Sequence, residues 1–166
     1  SYTDRARWEP LNISTVPDKP IRGHQIGYRN TANSYDAWSV GQYEQYIRDM
    51  IVFGVNSIEN IPDVDEHSPH FSLTNPEMNI ELSRLSKKYQ MDYWIWTPIE
   101  FDLNDQEKAE AYLDDQEKLY KDLARLDAVF VPGGDPGSNP PELVLPMMKR
   151  MSEICLLYTS DAADEE

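Results

Sequence analysis

Positions along this chain alternate between apolar and polar in short runs, and each run gives way to a polar loop and an apolar stripe at helical spacing. This happens four times. The alternating runs are Ile21 to Tyr28, Asn56 to Ile61, Met91 to Pro98 and Asp127 to Pro132. They open at intervals of about 35 residues, long enough for a strand, a crossover and a helix. Period-two runs predict strands, and stripes at i, i+3 and i+4 predict helices with one buried face. The first stripe is Val40, Tyr43, Ile47, Met50 and Ile51; the second is Met78, Leu82, Leu85 and Tyr89. The third is Ala109, Tyr112, Leu113, Leu119, Leu123 and Leu126, and the fourth is Leu143, Met147, Met151 and Ile154.

The helix boundaries carry their own signals. Ser39 is a cap for the first helix, and Gly54 is placed to end it. Thr74 and Glu77 form a capping box for the second, and the third begins near Asp105. Asn139, Pro140 and Glu142 supply cap, first-turn proline and first-turn acid for the fourth. Strands alternating with helices predict an α/β fold with a parallel sheet. Four such units are half of an eight-unit barrel, so the expected architecture is parallel (β/α) repeats forming the first half of a TIM-type (β/α)8 barrel. An open half leaves an unpaired strand at each edge, so the expected partner for these units is the other barrel half in the same polypeptide.

Residues 1–19 are proline-containing with little periodicity and read as a lead-in from an upstream region, and residues 20–154 hold the four units. Residues 155–166 resemble a translated sequencing-adapter read-through and are expected to be a non-native tail; the other reading is a frayed acidic terminus. The chain remains strongly acidic without them.

Composition narrows the function. A content of 40% hydrophobic and 11% aromatic residues is globular. The net charge of −15 repels phosphate backbones and anionic lipid, so neither nucleic acid nor membrane is an expected partner. No apolar run approaches the roughly 20 residues of a membrane span. A single cysteine, Cys155, excludes an internal disulfide and a cysteine-based zinc site.

In parallel α/β folds ligands sit at the carboxyl ends of the strands, and the unusual residues gather there. In the first strand, alternation sets Arg22, His24, Ile26 and Tyr28 on one face and Ile21, Gly23, Gln25 and Gly27 on the other. A guanidinium and an imidazole turned into a barrel need a polar partner. Sugar hydroxyls, a sugar carboxylate, or an internal salt bridge to Glu59 would each supply one. After the second strand, Asp63, Asp65, Glu66, His67 and His70 form a sugar-binding loop, a divalent-metal loop or an acidic surface loop; their spacing matches no defined metal motif.

Trp94 and Trp96 share a face of the third strand and offer flat apolar surfaces with a donor at the edge, suited to pyranose stacking or to plain packing. After the fourth strand, Gly133 to Gly137 hold Asp135 where its carboxylate can accept a hydroxyl, do acid–base work or brace the turn. The loop lacks the lysine of a P-loop and the glycine spacing of a dinucleotide site, so no cofactor is expected.

The segment Pro20 to Arg29, together with Tyr35-Asp36-Ala37-Trp38, Tyr43-Glu44-Gln45-Tyr46 and Val129 to Gly137, resembles the barrel start of α-glucuronidases (glycoside hydrolase family 67) and β-hexosaminidases (family 20). The resemblance implies a glycosidase that cleaves glycosidic bonds in a polysaccharide or glycan, with uronic acid or amino sugar in the substrate. It also implies a secreted or periplasmic location. It matches Arg22 to an arginine that contacts substrate hydroxyls and places further carboxylates later in the barrel; where family 20 has an adjacent Asp-Glu pair after the fourth strand this chain has Asp135 alone, the catalytic candidate that its place in the turn already suggests. Arg22, His24, Gln25, Tyr28, Asp63, His67, Trp94, Trp96 and Asp135 are then the expected sugar contacts. A carbohydrate-binding barrel without catalysis and a metal-dependent sugar isomerase or lyase are the competing functions.

Overall fold

The strands form where the alternation is cleanest. A computed structural model describes residues 13–26, 38–60, 73–132 and 137–159. The elements are β1 (Gly23–Ile26), α1 (Val40–Val52), β2 (Ser57–Asn60), α2 (Asn75–Lys88), β3 (Asp92–Trp96), α3 (Gln106–Asp122), β4 (Ala128–Phe130) and α4 (Pro141–Thr159). The sheet is wholly parallel, in the order β1-β2-β3-β4. The expected α/β repeat is therefore present as four consecutive βα units.

Register decides which side of the sheet each side chain takes. His24, Ile58 and Tyr93 lie at one level, then Gln25, Glu59, Trp94 and Ala128, then Ile26, Asn60, Ile95 and Val129, then Trp96 and Phe130. Register partners in a parallel sheet point the same way and successive levels alternate. Ile26, Ile58, Tyr93 and Ile95 join one core with Tyr43 and Ile47 of α1, Leu82 and Leu85 of α2, Tyr120 of α3 and Cys155 of α4. All four helices thus cover one face of the sheet. Gln25, Glu59, Trp94, Trp96, Ala128 and Phe130 take the other, on which no described helix packs.

The helix ends are built as their residues dictate. Ser39 and Gln42, and Thr74 and Glu77, form reciprocal capping boxes, and the Asp105 side chain accepts from the Lys108 N–H. The fourth helix differs from expectation. It starts at Pro141, with the Pro140 carbonyl accepting from Leu143 and Val144. The Asn139 side chain is spent elsewhere: it accepts from the Leu103 N–H at 2.9 Å and donates to the Phe101 carbonyl at 2.7 Å. α3 ends at Asp122, so Leu123 and Leu126 reach the core from beyond the helix. α4 continues through residues 155–159, where Cys155 is buried and the Tyr158 hydroxyl donates to Glu117 at 2.8 Å.

α1 and α2 end alike. The Gly54 and Val55 N–H groups bond the Ile51 and Met50 carbonyls, and those of Gln90 and Met91 bond the Lys87 and Ser86 carbonyls. Both are Schellman closures that need a left-handed residue. Gly54 supplies it at φ +83°, whereas Gln90 is forced to φ 56° with a Cβ. Chemical denaturation is expected to show Gly54→Ala losing and Gln90→Gly gaining about 1 kcal/mol of stability. Unchanged midpoints for both would contradict this account of the two turns.

Candidate functional site

The helix-free face gathers polar and aromatic side chains. Gln25 and Glu59 sit side by side on β1 and β2, and the Gln25 amide donates to a Glu59 carboxylate oxygen at 3.1 Å. Trp94 continues that level on β3, and Trp96 with Phe130 forms the level nearer the carboxyl ends. The tryptophans are half-buried and Phe130 is 43% exposed, a large value for an aromatic residue inside a strand. The face is therefore a strip of aromatic surface flanked by an amide and a carboxylate. Such a strip can stack an apolar ring face while hydrogen-bonding groups at the ring's edge.

Arg22 and His24 depart from the expected placement. The Arg22 guanidinium donates to the Gly54 carbonyl at 2.7 Å and to the Lys19 carbonyl at 2.8 Å, at the amino-terminal edge of the sheet. It forms no salt bridge with Glu59 there. His24 shares its phase with Ile26, and Ile26 packs against the helices at 2% exposure. The imidazole accordingly faces α1, with Nδ1 2.7 Å from the Tyr46 hydroxyl and the two rings edge to face. The expectation that both point into the barrel is corrected: one strand's alternation separates two faces but does not say which the helices cover. Gln25, on the other phase, is the β1 side chain that reaches the open face.

Trp94 and Trp96 do share a face, as alternation requires. Tyr28, Asp63, His67 and Asp135 lie outside the described residues, as do Asp65, Glu66 and His70. Among the described residues no group of three histidine, cysteine, aspartate or glutamate side chains is placed to hold a metal. No described helix is long and apolar enough to cross a membrane. Sequence alone marks Glu59 only as an ion-pair partner for Arg22 and does not mark Phe130. The available signal was phase: each belongs with Trp94 and Trp96 once register is known.

A buried polar cluster holds the sheet to α2 behind this face. Asn79 accepts from the Asn60 amide and from the Tyr93 hydroxyl, both at 2.7 Å, and donates to the Asn75 carbonyl at 3.0 Å. Burial pushes the Tyr93 phenol well above its ordinary pKa of 10.0 and does the same to Tyr120 on α3. The Tyr120 and Thr97 hydroxyls lie close enough to influence each other without a hydrogen bond of normal geometry. The amino-terminal edge is stitched separately, by Arg125 bridging Asp92 and Asp127 and by Asp127 accepting from the Tyr93 N–H at 2.7 Å.

No protein-family profile, curated protein or solved structure matches this chain.

Asn79→Ala removes the acceptor that the buried Asn60 amide and Tyr93 hydroxyl share, leaving the amide only the Tyr93 oxygen at 3.3 Å, and urea unfolding is expected to show a loss of about 3 kcal/mol. A loss under about 1 kcal/mol, the size of a single ordinary hydrogen bond, would contradict it. Tyr93 and Tyr120 have folded pKa values above the unfolded value of 10.0. Their stabilising contribution is complete below that value and is lost as pH rises past it. In an alkaline titration followed by phenolate absorbance, these two tyrosines are expected to ionise only as the protein unfolds.

Proposed function

We propose that these four units are the first half of a (β/α)8 barrel in a glycoside hydrolase, with the helix-free face turned toward the sugar. The observation that carries the reading is the strip Gln25, Glu59, Trp94, Trp96 and Phe130 on a sheet whose helices all lie behind it. Sequential parallel strands with helices on one side fit the wall of a barrel, and in this reading these residues line its inner face. Aromatic faces take the C–H surface of a pyranose, while Gln25 and Glu59 take its hydroxyls. Hydrolysis needs two carboxylates flanking the scissile bond. In this reading Asp135 and strands of the second half contribute them, and Glu59 binds and orients. The substrate is a polysaccharide or glycan, uronic-acid and amino-sugar units included.

A carbohydrate-binding barrel without catalysis is the second reading. One observation favours it: Glu59 is engaged by Gln25 and Asp92 by Arg125, so the described face presents no obvious acid–base pair.

The test uses protein with the complete barrel, assayed on aryl glycosides and uronic-acid-capped xylooligosaccharides. Turnover is expected, with Trp96→Ala and Glu59→Gln each lowering kcat/KM about tenfold or more, the worth of one stacking contact or one charged hydrogen bond. Sugar binding without turnover would establish the second reading. Neither binding nor turnover would sink both.

A further inference from the structure

Two loops leave the sheet side by side at its carboxyl-terminal end, one after β3 and one after β4. The Thr97 N–H donates to the Phe130 carbonyl at 2.8 Å where they part. The first loop is fixed from below. Ile99 and Leu103 are buried in a second core with Ala109 and Leu113 of α3 and Met147 and Met151 of α4. Arg150 adds a clasp between the two helices, donating to both carboxylate oxygens of Glu110 at 2.6 Å. The second loop is glycine-rich, with Gly133, Gly134 and Gly137 close together in the chain. Glycine has the most conformational freedom to lose, so such a turn needs an anchor to hold one shape.

The anchor follows directly in the chain. Gly137 takes φ +137°, and a Cβ there would lie 2.9 Å from the Ile99 carbonyl oxygen. Conformation and space both require glycine at this position. Asn139 then grips the backbone of the first loop with both ends of its amide, accepting from the Leu103 N–H at 2.9 Å and donating to the Phe101 carbonyl at 2.7 Å. Those bonds do nothing for α4, whose first turn is closed by the Pro140 carbonyl. The receiving loop is braced in advance. The Asp102 carboxylate accepts from the Asn104 N–H at 2.9 Å, and the Gln106 amide donates to the Leu103 carbonyl at 3.1 Å.

We infer that Gly137 and Asn139 are positioning residues, which staple the turn that carries Asp135 to the loop that follows Trp96. The inference rests on the hydrolase reading above for the role of Asp135, and on the staple itself for which residues hold the turn. In that reading Trp96 stacks the sugar and Asp135 supplies a carboxylate, so the offset between the two loops governs how sugar and carboxylate meet. A misplacement of about 1 Å can slow a reaction about a hundredfold. A side chain that offers nothing to the sugar thereby controls kcat through the loop it holds.

The experiment measures kcat and KM of protein with the complete barrel on the aryl glycosides above, with kcat taken per folded molecule from circular dichroism. Asn139→Leu removes both bonds at similar volume, Asn139→Asp keeps only the bond from the Leu103 N–H, and Gly137→Ala sets a Cβ against Ile99. Gly54→Ala is the control, because it weakens the fold at the opposite end of the sheet. The expected result is a fall in kcat of about tenfold or more for Asn139→Leu and Gly137→Ala, with KM within about twofold of wild type. Asn139→Asp should fall less, and Gly54→Ala should keep the wild-type kcat. Asn139→Asp and Gly137→Ala carry the decision if Asn139→Leu does not fold. Wild-type kcat in the loop variants, an equal fall in Gly54→Ala, or a change confined to KM would overturn the positioning role and leave the hydrolase reading standing. Absence of turnover in the wild-type protein would overturn both.

Discussion

Three parallel ladders in fixed register set the side of the sheet for every strand side chain, and the division between packed and open faces follows from them. Gln25, Glu59, Trp94 and Ala128 share one level, one residue out of phase with Ile26, Asn60, Ile95 and Val129. A slip of one residue in β2 would turn Glu59 toward α2 and Ile58 toward solvent. The carboxylate would then sit in an apolar core without a cation, at a cost of several kcal/mol. The alternative registers are thereby closed. Sequential strand order with right-handed crossovers then leaves the helices one side to occupy.

Stability and chemistry are divided along the strands as well as across the sheet. At the amino-terminal edge, Arg22 and Arg125 are consumed in joining segments, the first through backbone carbonyls and the second through Asp92 and Asp127. Asn56 works beside Arg22, accepting from its N–H at 2.8 Å and donating to the Pro20 carbonyl at 2.7 Å. Toward the carboxyl ends, Trp96 and Phe130 leave aromatic surface uncovered. Parallel α/β proteins generally make this division, with the bottom of the sheet for cohesion and the top for ligands. The Asn60–Asn79–Tyr93 cluster lies between the two and ties β2 and β3 to α2.

Much of this was legible in the amino-acid order. The strand starts fall within two residues of the predicted ones, and Ser39, Gly54, Thr74 and Asp105 act where local chemistry places them, because caps and closures depend on near neighbours alone. Orientation was harder. In the first alternating run the apolar residues fall in both phases, with Ile21, just ahead of β1, 54% exposed and Ile26 2% exposed. The strand alone therefore could not say whether His24 or Gln25 faced the helices; only its pairing with β2 settles that. Tyr120 is hard to read as core because its hydroxyl disguises the position, and Asn139 reads as a helix cap because its actual partners lie nearly 40 positions away. The residues at the strand tips on which the catalytic expectation leaned, Tyr28, Asp63, His67 and Asp135, fall outside the described segments.

The two-faced sheet can be tested directly by hydroxyl-radical footprinting of the folded chain, read residue by residue by mass spectrometry. The account predicts ready oxidation of Trp94, Trp96 and Phe130, with Tyr93, Ile58 and Ile95 protected until the protein unfolds. Protection of Trp94 and Phe130 equal to that of Tyr93 would mean that another layer covers this face, and would contradict the assignment of a working surface to it.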